Sequence, residues 1–392
     1  MSLRYCTALL AVVSGAAQPP PSTPPEPEPS TILASRSGTR FVPQFEFDEH
    51  EQALQIVDFQ FVSARRGIAV GLRGYANRRP EPVALLTSDG GVTWTFDKLK
   101  TDPYSVFFLD ETLGWLVGEG GIYKTEEAGR SWRKISSPRQ VRRVFFVSPS
   151  TGWALGAQKT LLATTDGGKT WGAVEPAAKL PGKPEHSAFL SAAAPDSKKI
   201  LIAGASRPPR NERRPRGRRP PDPEEELLAP EWPSLSLFLQ SSDGGATWNA
   251  EAVSLFGVPQ VLRYNARGEG VWLMRFLRRF PVPSDIIRMD LGKKPVTIFG
   301  RKDRVVTDVA MNADGSTWLA AYQPAGSLPN APVPGKVRVL RNSSSANKIW
   351  EEFPVHYRAV ARQVFISAPD PENVWIATDQ GMILKWTKPP AR

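Results

Sequence analysis

The residues best suited to chemistry in this sequence are aspartates that recur in one short motif. The motif, Ser/Thr-x-Asp-x-Gly-x-Thr-Trp, is complete in TSDGGVTW (87–94), TTDGGKTW (164–171) and SSDGGATW (241–248). A carboxylate among hydroxyls and glycines can act as a general acid or base. Each component also has a local structural use, because aspartate caps a turn, glycine takes positive φ and tryptophan packs beneath a hairpin.

Repetition favours the structural interpretation of this motif, which we call the box. A catalytic group is normally needed once, whereas the box also returns as TEEAGRSW (125–132) and, faded, as SSSANKIW (343–350). We therefore interpret as structural the box residues Thr87, Asp89, Gly91, Trp94, Thr125, Glu127, Gly129, Trp132, Thr164, Asp166, Gly168, Trp171, Ser241, Asp243, Gly245 and Trp248.

Three other aspartates keep a glycoside hydrolase as the alternative function. Asp58, Asp110 and Asp370 flank short apolar runs, and a glycosidase needs two carboxylates about 5 Å or about 6.5 to 9.5 Å apart. Turn capping is the commoner use of such residues. A sialidase-like site also needs an N-terminal arginine motif that RFVP (40–43) does not match, and a glucanase-like site would still need the carboxylate pair. Hydrolysis therefore ranks second.

Metal, cofactor and nucleophile patterns are missing from the sequence. His50, His186 and His356 lie far apart, Cys6 is the single cysteine, and no Gly-x-Ser-x-Gly elbow or Walker loop occurs. We expect no metal, no cofactor and no catalytic residue.

The spacing of the tryptophans indicates the elements that carry the boxes. Trp94, Trp132 and Trp171 are 38 and 39 residues apart, the length of one four-stranded propeller blade of about 40 residues. A second register of tryptophans lies in short apolar runs that follow turns; its members are Trp115, Trp153, Trp272, Trp318 and Trp375.

The repeat predicts an all-β, seven-bladed β-propeller of four-stranded antiparallel blades. The expected blades cover residues 54–100, 102–138, 139–180, 186–257, 258–303, 304–354 and 357–389. The seventh unit ends after its third strand, and residues 40–48 (RFVPQFEFD) alternate as a strand does. We predict that this N-terminal strand completes the last blade and closes the ring.

The N-terminal residues predict export. Residues 1–17 have the basic start, short apolar stretch and small-residue end of a signal peptide, and residues 18–39 read as a proline-rich linker. The propeller is expected over 40–389 as a single domain, interrupted by a disordered charged insertion at 207–231. A periplasmic or extracellular protein without a transmembrane segment in its mature chain is expected.

The formal charge of +11 suggests an anionic partner. The insertion is nearly self-neutral, since seven arginines in 207–219 precede five acidic residues in 222–231. Residues 258–304 carry eleven basic and four acidic residues, and a smaller basic cluster lies in 139–143. We predict a protein or acidic peptide partner, no nucleic acid, and a monomer, with partner contacts through Arg142, Arg143, Arg275, Arg278, Arg279, Lys293 and Lys294.

The tryptophan strand followed by the box resembles the BNR or Asp-box propellers, and in particular the photosystem II assembly factor family called Ycf48 or HCF136. The resemblance covers residues 54–180 well and 186–389 loosely. It implies an exported, non-enzymatic propeller that binds another polypeptide during assembly of a membrane complex. A purely architectural role in a secreted assembly is a third hypothesis.

Overall fold

The computed structural model describes residues 30–49, 51–75, 78–207, 233–276, 284–301, 303–325, 333–343 and 348–387. The predicted signal peptide, nearly all of the predicted insertion at 207–231, and both Arg278 and Arg279 lie outside these residues. Within the described ranges, no helix has the length and apolar character that crossing a bilayer requires.

The described residues form seven sheets, and each sheet is one blade. From the central channel outward, the strands of blades 1 to 3 are β3 (Gln52–Phe61), β4 (Gly67–Tyr75), β5 (Arg78–Thr87), β6 (Thr95–Lys98); β7 (Pro103–Phe108), β8 (Gly114–Gly118), β9 (Gly121–Thr125), β10 (Arg133–Ser136); β11 (Val141–Phe146), β12 (Gly152–Gly156), β13 (Leu161–Thr164) and β14 (Gly172–Ala173).

Blades 4 to 7 repeat this antiparallel order. Their strands are β15 (Ser187–Ala193), β16 (Ile200–Ser206), β17 (Ser234–Ser241), β18 (Asn249–Leu255); β19 (Val258–Tyr264), β20 (Gly270–Arg275), β21 (Ser284–Arg288), β22 (Val296–Gly300); β23 (Val305–Met311), β24 (Thr317–Gln323), β25 (Gly335–Asn342), β26 (Ile349–Phe353); β28 (Val364–Asp370), β29 (Asn373–Thr378), β30 (Met382–Thr387) and β2 (Arg40–Glu46). The predicted seven-bladed, all-β propeller is confirmed.

Packing between blades explains the second tryptophan register. All five residues of β8 and of β12 are buried, because neighbouring blades cover both faces of the second strand of each sheet. Trp115 of β8 stacks on Phe146 of the next blade with ring centres 3.6 Å apart, and Trp375 stacks on Phe61 at 3.7 Å. In blades 2 and 7 this register therefore places a large flat side chain against the following blade.

The N-terminal strand closes the ring as predicted. Strand β2 pairs antiparallel with β30, which places Phe41 opposite Trp386. Phe41 is only 1% exposed and meets Trp318 of blade 6 edge-to-face, with ring centres 6.1 Å apart. One blade thus contains both ends of the propeller.

The structure differs from the predicted linker at 18–39, because the end of that segment is ordered. Strand β1 (Thr31–Ala34) pairs in parallel with β26 and adds an outer strand to blade 6. Ser30 is buried, and its hydroxyl oxygen accepts the Gly300 N–H at 3.2 Å. Residues 31–34 lack the alternation that marks a strand and follow a proline-rich segment, so the sequence does not predict β1.

Short elements complete the described chain. Strand β27 (Val360–Ala361) pairs with the start of β25. Helix α1 (Glu175–Lys179) and a single 3-10 turn (Pro184–His186) lie in the link between blades 3 and 4, where Ala177 is buried.

Candidate functional site

The connections between strands define two faces of the propeller. The turns after the first and the third strand of each blade lie on one face, which we call the box face because it carries the boxes. The turns after the second strand and the links between blades lie on the opposite face, called here the link face. This division follows from the antiparallel strand order and decides which predicted site residues can act together.

The box at 87–94 uses its polar groups within its own turn. The Asp89 carboxylate accepts the Thr93 N–H at 3.0 Å, the Thr93 hydroxyl at 2.6 Å and the Thr87 hydroxyl at 2.8 Å. These hydrogen bonds, those from Thr93 foremost, lower the pKa of Asp89 to about 2. Gly90 and Gly91 both have positive φ, and the Trp94 indole N–H donates to the Gly91 carbonyl at 3.1 Å.

The other complete boxes repeat this geometry. Asp166 and Asp243 each accept the hydroxyl of the threonine four residues later, at 2.6 and 2.5 Å. These hydroxyls are the main reason that the pKa of Asp243 falls to about 2 and that of Asp166 is also lowered. A carboxylate held ionised by its own turn is poorly suited to proton transfer near neutral pH.

The second box keeps the turn with different residues. Glu127 accepts the Ser131 hydroxyl at 2.7 Å, and the Thr125 hydroxyl oxygen accepts the N–H groups of Glu127 and Gly129, both at 3.1 Å. Ala128 stands where the three complete boxes have glycine and adopts φ 58°.

The centre of the ring contains a cavity of about 610 Å³ lined by all seven inner strands. Asp58 lines it from β3, with one carboxylate oxygen accepting the Phe59 N–H and the other the Val106 N–H of blade 2, both at 3.0 Å. Asp308 of β23 does the same between blades 6 and 7, accepting from Val309 at 2.9 Å and from Ile366 at 3.0 Å.

Asp308 is not among the residues that the sequence analysis singles out. Both aspartates directly follow a bulge in an inner strand, after Ile56 in β3 and after Val306 in β23. Burial raises the pKa of Asp308 despite the Arg263 guanidinium 3.3 Å away. The matching bonds indicate that these carboxylates join consecutive blades.

The other two glycosidase candidates do not line the cavity. Asp110 accepts the N–H groups of Thr112 and Leu113 at 2.8 and 2.7 Å, and the Leu113 bond is the largest cause of its lowered pKa. Asp370 accepts the Asn373 N–H at 2.9 Å. The two side chains cap turns on the box face, so Asp58, Asp110 and Asp370 do not form one constellation.

The predicted basic patch is divided between the two faces. Arg142 and Arg143 begin β11 at the link face, whereas Lys293 and Lys294 follow β21 on the box face. Arg275 ends β20 at the link face, but burial lowers its pKa and its guanidinium donates to the Val306 carbonyl at 2.9 Å. These residues therefore do not lie on one surface, because the two ends of a strand reach opposite faces of the propeller.

Much of the positive charge of blade 5 is paired internally. Arg288 is buried and contacts Asp290 at 2.5 Å and Glu269 at 3.3 Å. Arg304 is also buried and contacts Glu352 of blade 6 at 3.3 Å. The excess of basic residues in 258–304 therefore overstates the free charge on the surface.

Arg142 and Arg143 remain as exposed cations at the channel mouth. The Arg142 guanidinium lies over the Tyr104 ring, 4.3 Å from its centre, and Arg143 lines the central cavity. Neither forms an ion pair within the described ranges. Arg139 and Arg142 also line a neighbouring groove of about 270 Å³ against the turn at 118–121.

Comparison with known proteins agrees with this architecture. The family model of the photosynthesis system II assembly factor YCF48 matches residues 98–201. The photosystem II assembly lipoprotein Ycf48 of Synechococcus sp. (strain CC9902) is 24% identical over 212 residues. That match spans 52% of this chain and 52% of the relative, so the chain spans about half the length of the curated protein it matches.

Two solved structures share the whole fold. A structure of YCF48 bound to D1 peptide has a TM-score of 0.57 at 15% identity, covering 93% of this chain and 99% of that chain. YCF48 from Cyanidioschyzon merolae has a TM-score of 0.54 at 15% identity, covering 88% and 98%. At this identity the structures support the fold alone. Together, the family match, the curated relative and the fold show a Ycf48-like β-propeller.

Proposed function

We propose that this Ycf48-like β-propeller is an exported, non-enzymatic protein that binds an acidic segment of a polypeptide partner during assembly of photosystem II. The matched relative is named a photosystem II assembly lipoprotein, and one structural neighbour was solved with a D1 peptide. Those names support the class of partner. The location outside the cytoplasm rests on the leader-like pattern of residues 1–17.

The observation that carries the proposal is the pair of arginines at the channel mouth on the link face. Arg142 and Arg143 are exposed, and neither has a carboxylate within ion-pairing distance among the described residues. Strand β11 is irregular between Val141 and Arg143, and the side chains of Arg142 and Arg143 diverge there. One guanidinium therefore lies on Tyr104 while the other faces the cavity, and an extended chain can contact both.

Guanidinium groups suit this task because they bind carboxylates through two parallel hydrogen bonds. Stacking on Tyr104 holds the Arg142 side chain in place and reduces the entropy lost on binding. Acidic side chains spaced along a peptide would find one cation outside the channel and one within its mouth. The site is therefore suited to an extended acidic segment.

The bonding of the carboxylates supports a non-enzymatic role over the glycosidase alternative. Asp58 and Asp308 each accept two backbone N–H groups, one from a neighbouring blade, which gives them a structural use. Asp110 and Asp370 cap turns. All four carboxylates thus have a structural use.

A peptide-binding measurement tests the proposal. Fluorescence anisotropy with a labelled D1 peptide would compare the wild type with Arg142→Glu/Arg143→Glu. The matched control is Arg133→Glu/Lys134→Glu, which reverses two exposed charges at the start of the outer strand β10. We expect the first variant to weaken binding by about tenfold or more and the control to change it by less than about threefold.

Two outcomes would overturn the proposal. Equal loss in both double variants would indicate general electrostatic attraction, and unchanged binding in Arg142→Glu/Arg143→Glu would exclude this site. Turnover of chromogenic glycosides that disappears in Asp58→Asn or Asp308→Asn would favour hydrolysis instead.

A further inference from the structure

Three residues from two turns meet at the joint between blades 1 and 2 on the box face, and they are Arg66, Ala128 and Arg130. Arg66 directly precedes β4, where Leu113 and Thr151 precede the corresponding strands β8 and β12. In the second box, Ala128 replaces a glycine and Arg130 occupies a variable position. Side chains from two separate turns therefore converge on this joint.

The two arginines share one small region although they belong to different blades. Arg66 is only 9% exposed and donates a hydrogen bond across the joint to the Ala128 carbonyl. Arg130 is exposed. Burial and, second, the charge of Arg130 lower the pKa of Arg66, which places the two guanidiniums within electrostatic reach.

Glu111 acts on Arg66 electrostatically, but no carboxylate is in ion-pair contact with either arginine among the described residues. Neither Arg66 nor Arg130 has an acidic group within 4.0 Å in the part of the chain that the structure describes. The box aspartate nearby, Asp89, is saturated by hydrogen bonds from its own turn. A buried guanidinium beside a second cation is unfavourable unless an anion balances it.

The arginines border a depression of about 350 Å³ that has room for an anion. Its other walls are Leu86, Thr87, Ser88, Thr93, Thr95 and Asp97. The Ser88 hydroxyl is exposed and makes no hydrogen bond within the described residues, so it is available to a ligand. Asp97 lies on this wall without an ion pair and disfavours a ligand with more than one anionic group.

We propose that this depression binds a single tetrahedral oxyanion, phosphate or sulfate, between the guanidiniums of Arg66 and Arg130. Each guanidinium presents a planar pair of N–H donors that matches two oxygens of such an anion. Ser88 supplies a further donor. The depression lies on the face opposite Arg142 and Arg143, so this site and the proposed peptide site succeed or fail separately.

Calorimetric titration of the full chain tests the proposal, with sodium phosphate, sodium sulfate and sodium chloride at matched ionic strength. The main variant is Arg130→Met, which removes the exposed cation and leaves the Arg66 contact across the joint. The control is Lys169→Met, because Lys169 holds the same position in the third box and is also exposed.

We expect Lys169→Met to bind phosphate and sulfate with the affinity of the wild type. Arg130→Met should bind both anions at least about tenfold more weakly. Sulfate affinity should be constant between pH 6 and 8, whereas phosphate affinity should rise as its second proton is lost. Thermal unfolding should show stabilisation by sulfate that is smaller in Arg130→Met than in the control.

Three results would each refute the oxyanion site. They are unchanged affinity in Arg130→Met, equal loss in Lys169→Met, and no heat from the wild type up to roughly 10 mM anion. Stabilisation by chloride equal to that by sulfate would indicate general screening and would also reject it.

Discussion

Replacing Phe41 by alanine should weaken the attachment of the strand that closes the propeller. Phe41 is 1% exposed and packs between blades 6 and 7, on Trp318 from one and opposite Trp386 from the other. Its N–H also donates to the Pro354 carbonyl at 2.9 Å, so this backbone hydrogen bond remains when the phenyl ring is removed. The side chain supplies the packing that this bond does not.

The expected loss of unfolding free energy follows from the complete burial of the Phe41 phenyl ring. Truncation of a buried phenylalanine to alanine costs about 3 to 5 kcal/mol, which is a large part of the roughly 5 to 15 kcal/mol that stabilises a typical domain. With an m-value of about 3 kcal/mol/M, the urea midpoint should fall by roughly 1 to 1.7 M. Proteolytic cleavage within residues 30–46 should also be faster in Phe41→Ala than in the wild type.

Tryptophan fluorescence during urea unfolding measures this loss, and limited proteolysis locates it. Val42→Ala is the matched control, since Val42 lies on the same strand, points to the opposite side and is only half-buried. It should cost about 1 kcal/mol or less. If Phe41→Ala shifts the urea midpoint no more than Val42→Ala does, closure of the propeller does not depend on the Phe41 side chain, and the packing role assigned to it is refuted.

The boxes and the inner strands give three further predictions. The pKa of Asp89 is about 2 in the folded protein and about 3.9 in the unfolded chain, so Asp89 stabilises the fold fully above about pH 3.9 and loses this effect as the pH falls towards 2. The difference in unfolding free energy between the wild type and Asp89→Asn, measured by urea unfolding, should therefore shrink from pH 5 to pH 2. A constant difference would contradict this. Ala128→Gly should raise the unfolding free energy by up to about 1 kcal/mol by relieving φ 58°, whereas Gly167→Ala at φ 77° should lower it, both measured by urea unfolding. Asp308→Ala should cost about 2 to 4 kcal/mol, because the N–H groups of Val309 and Ile366 lose their acceptor, and Asp308→Asn should cost less because it keeps one; equal costs would contradict the joining role.

Local patterns were enough to predict the propeller because each blade repeats the same local requirements. Trp115 and Trp153 occupy equivalent positions in successive blades, so their spacing in the sequence gives the length of a blade before any contact is known. The unpaired end of the seventh unit likewise indicated that a strand had to come from elsewhere, and 40–48 was the alternating stretch left over.

Long-range placement was not predictable by the same means. Asp308 becomes recognisable as a partner of blade 7 only when a bulge turns it towards Ile366. Arg275 and Lys293 belong to one charged blade in the sequence, yet the fold separates them onto opposite faces. Strand β1 has only one side chain, Ile32, packed against the core, so its backbone pairing leaves almost no trace in the sequence.

The seam between β2 and β30 has a consequence for how the protein is made. The Thr387 hydroxyl donates to the Arg40 carbonyl at 3.2 Å across 347 positions of sequence. Arg40 is synthesised 347 residues before Thr387, so strand β2 must stay unpaired while the blades emerge. A nascent chain that stops before the last blade therefore exposes the Phe41 side chain and the unpaired edge of β2. Such truncated products are prone to aggregation and degradation.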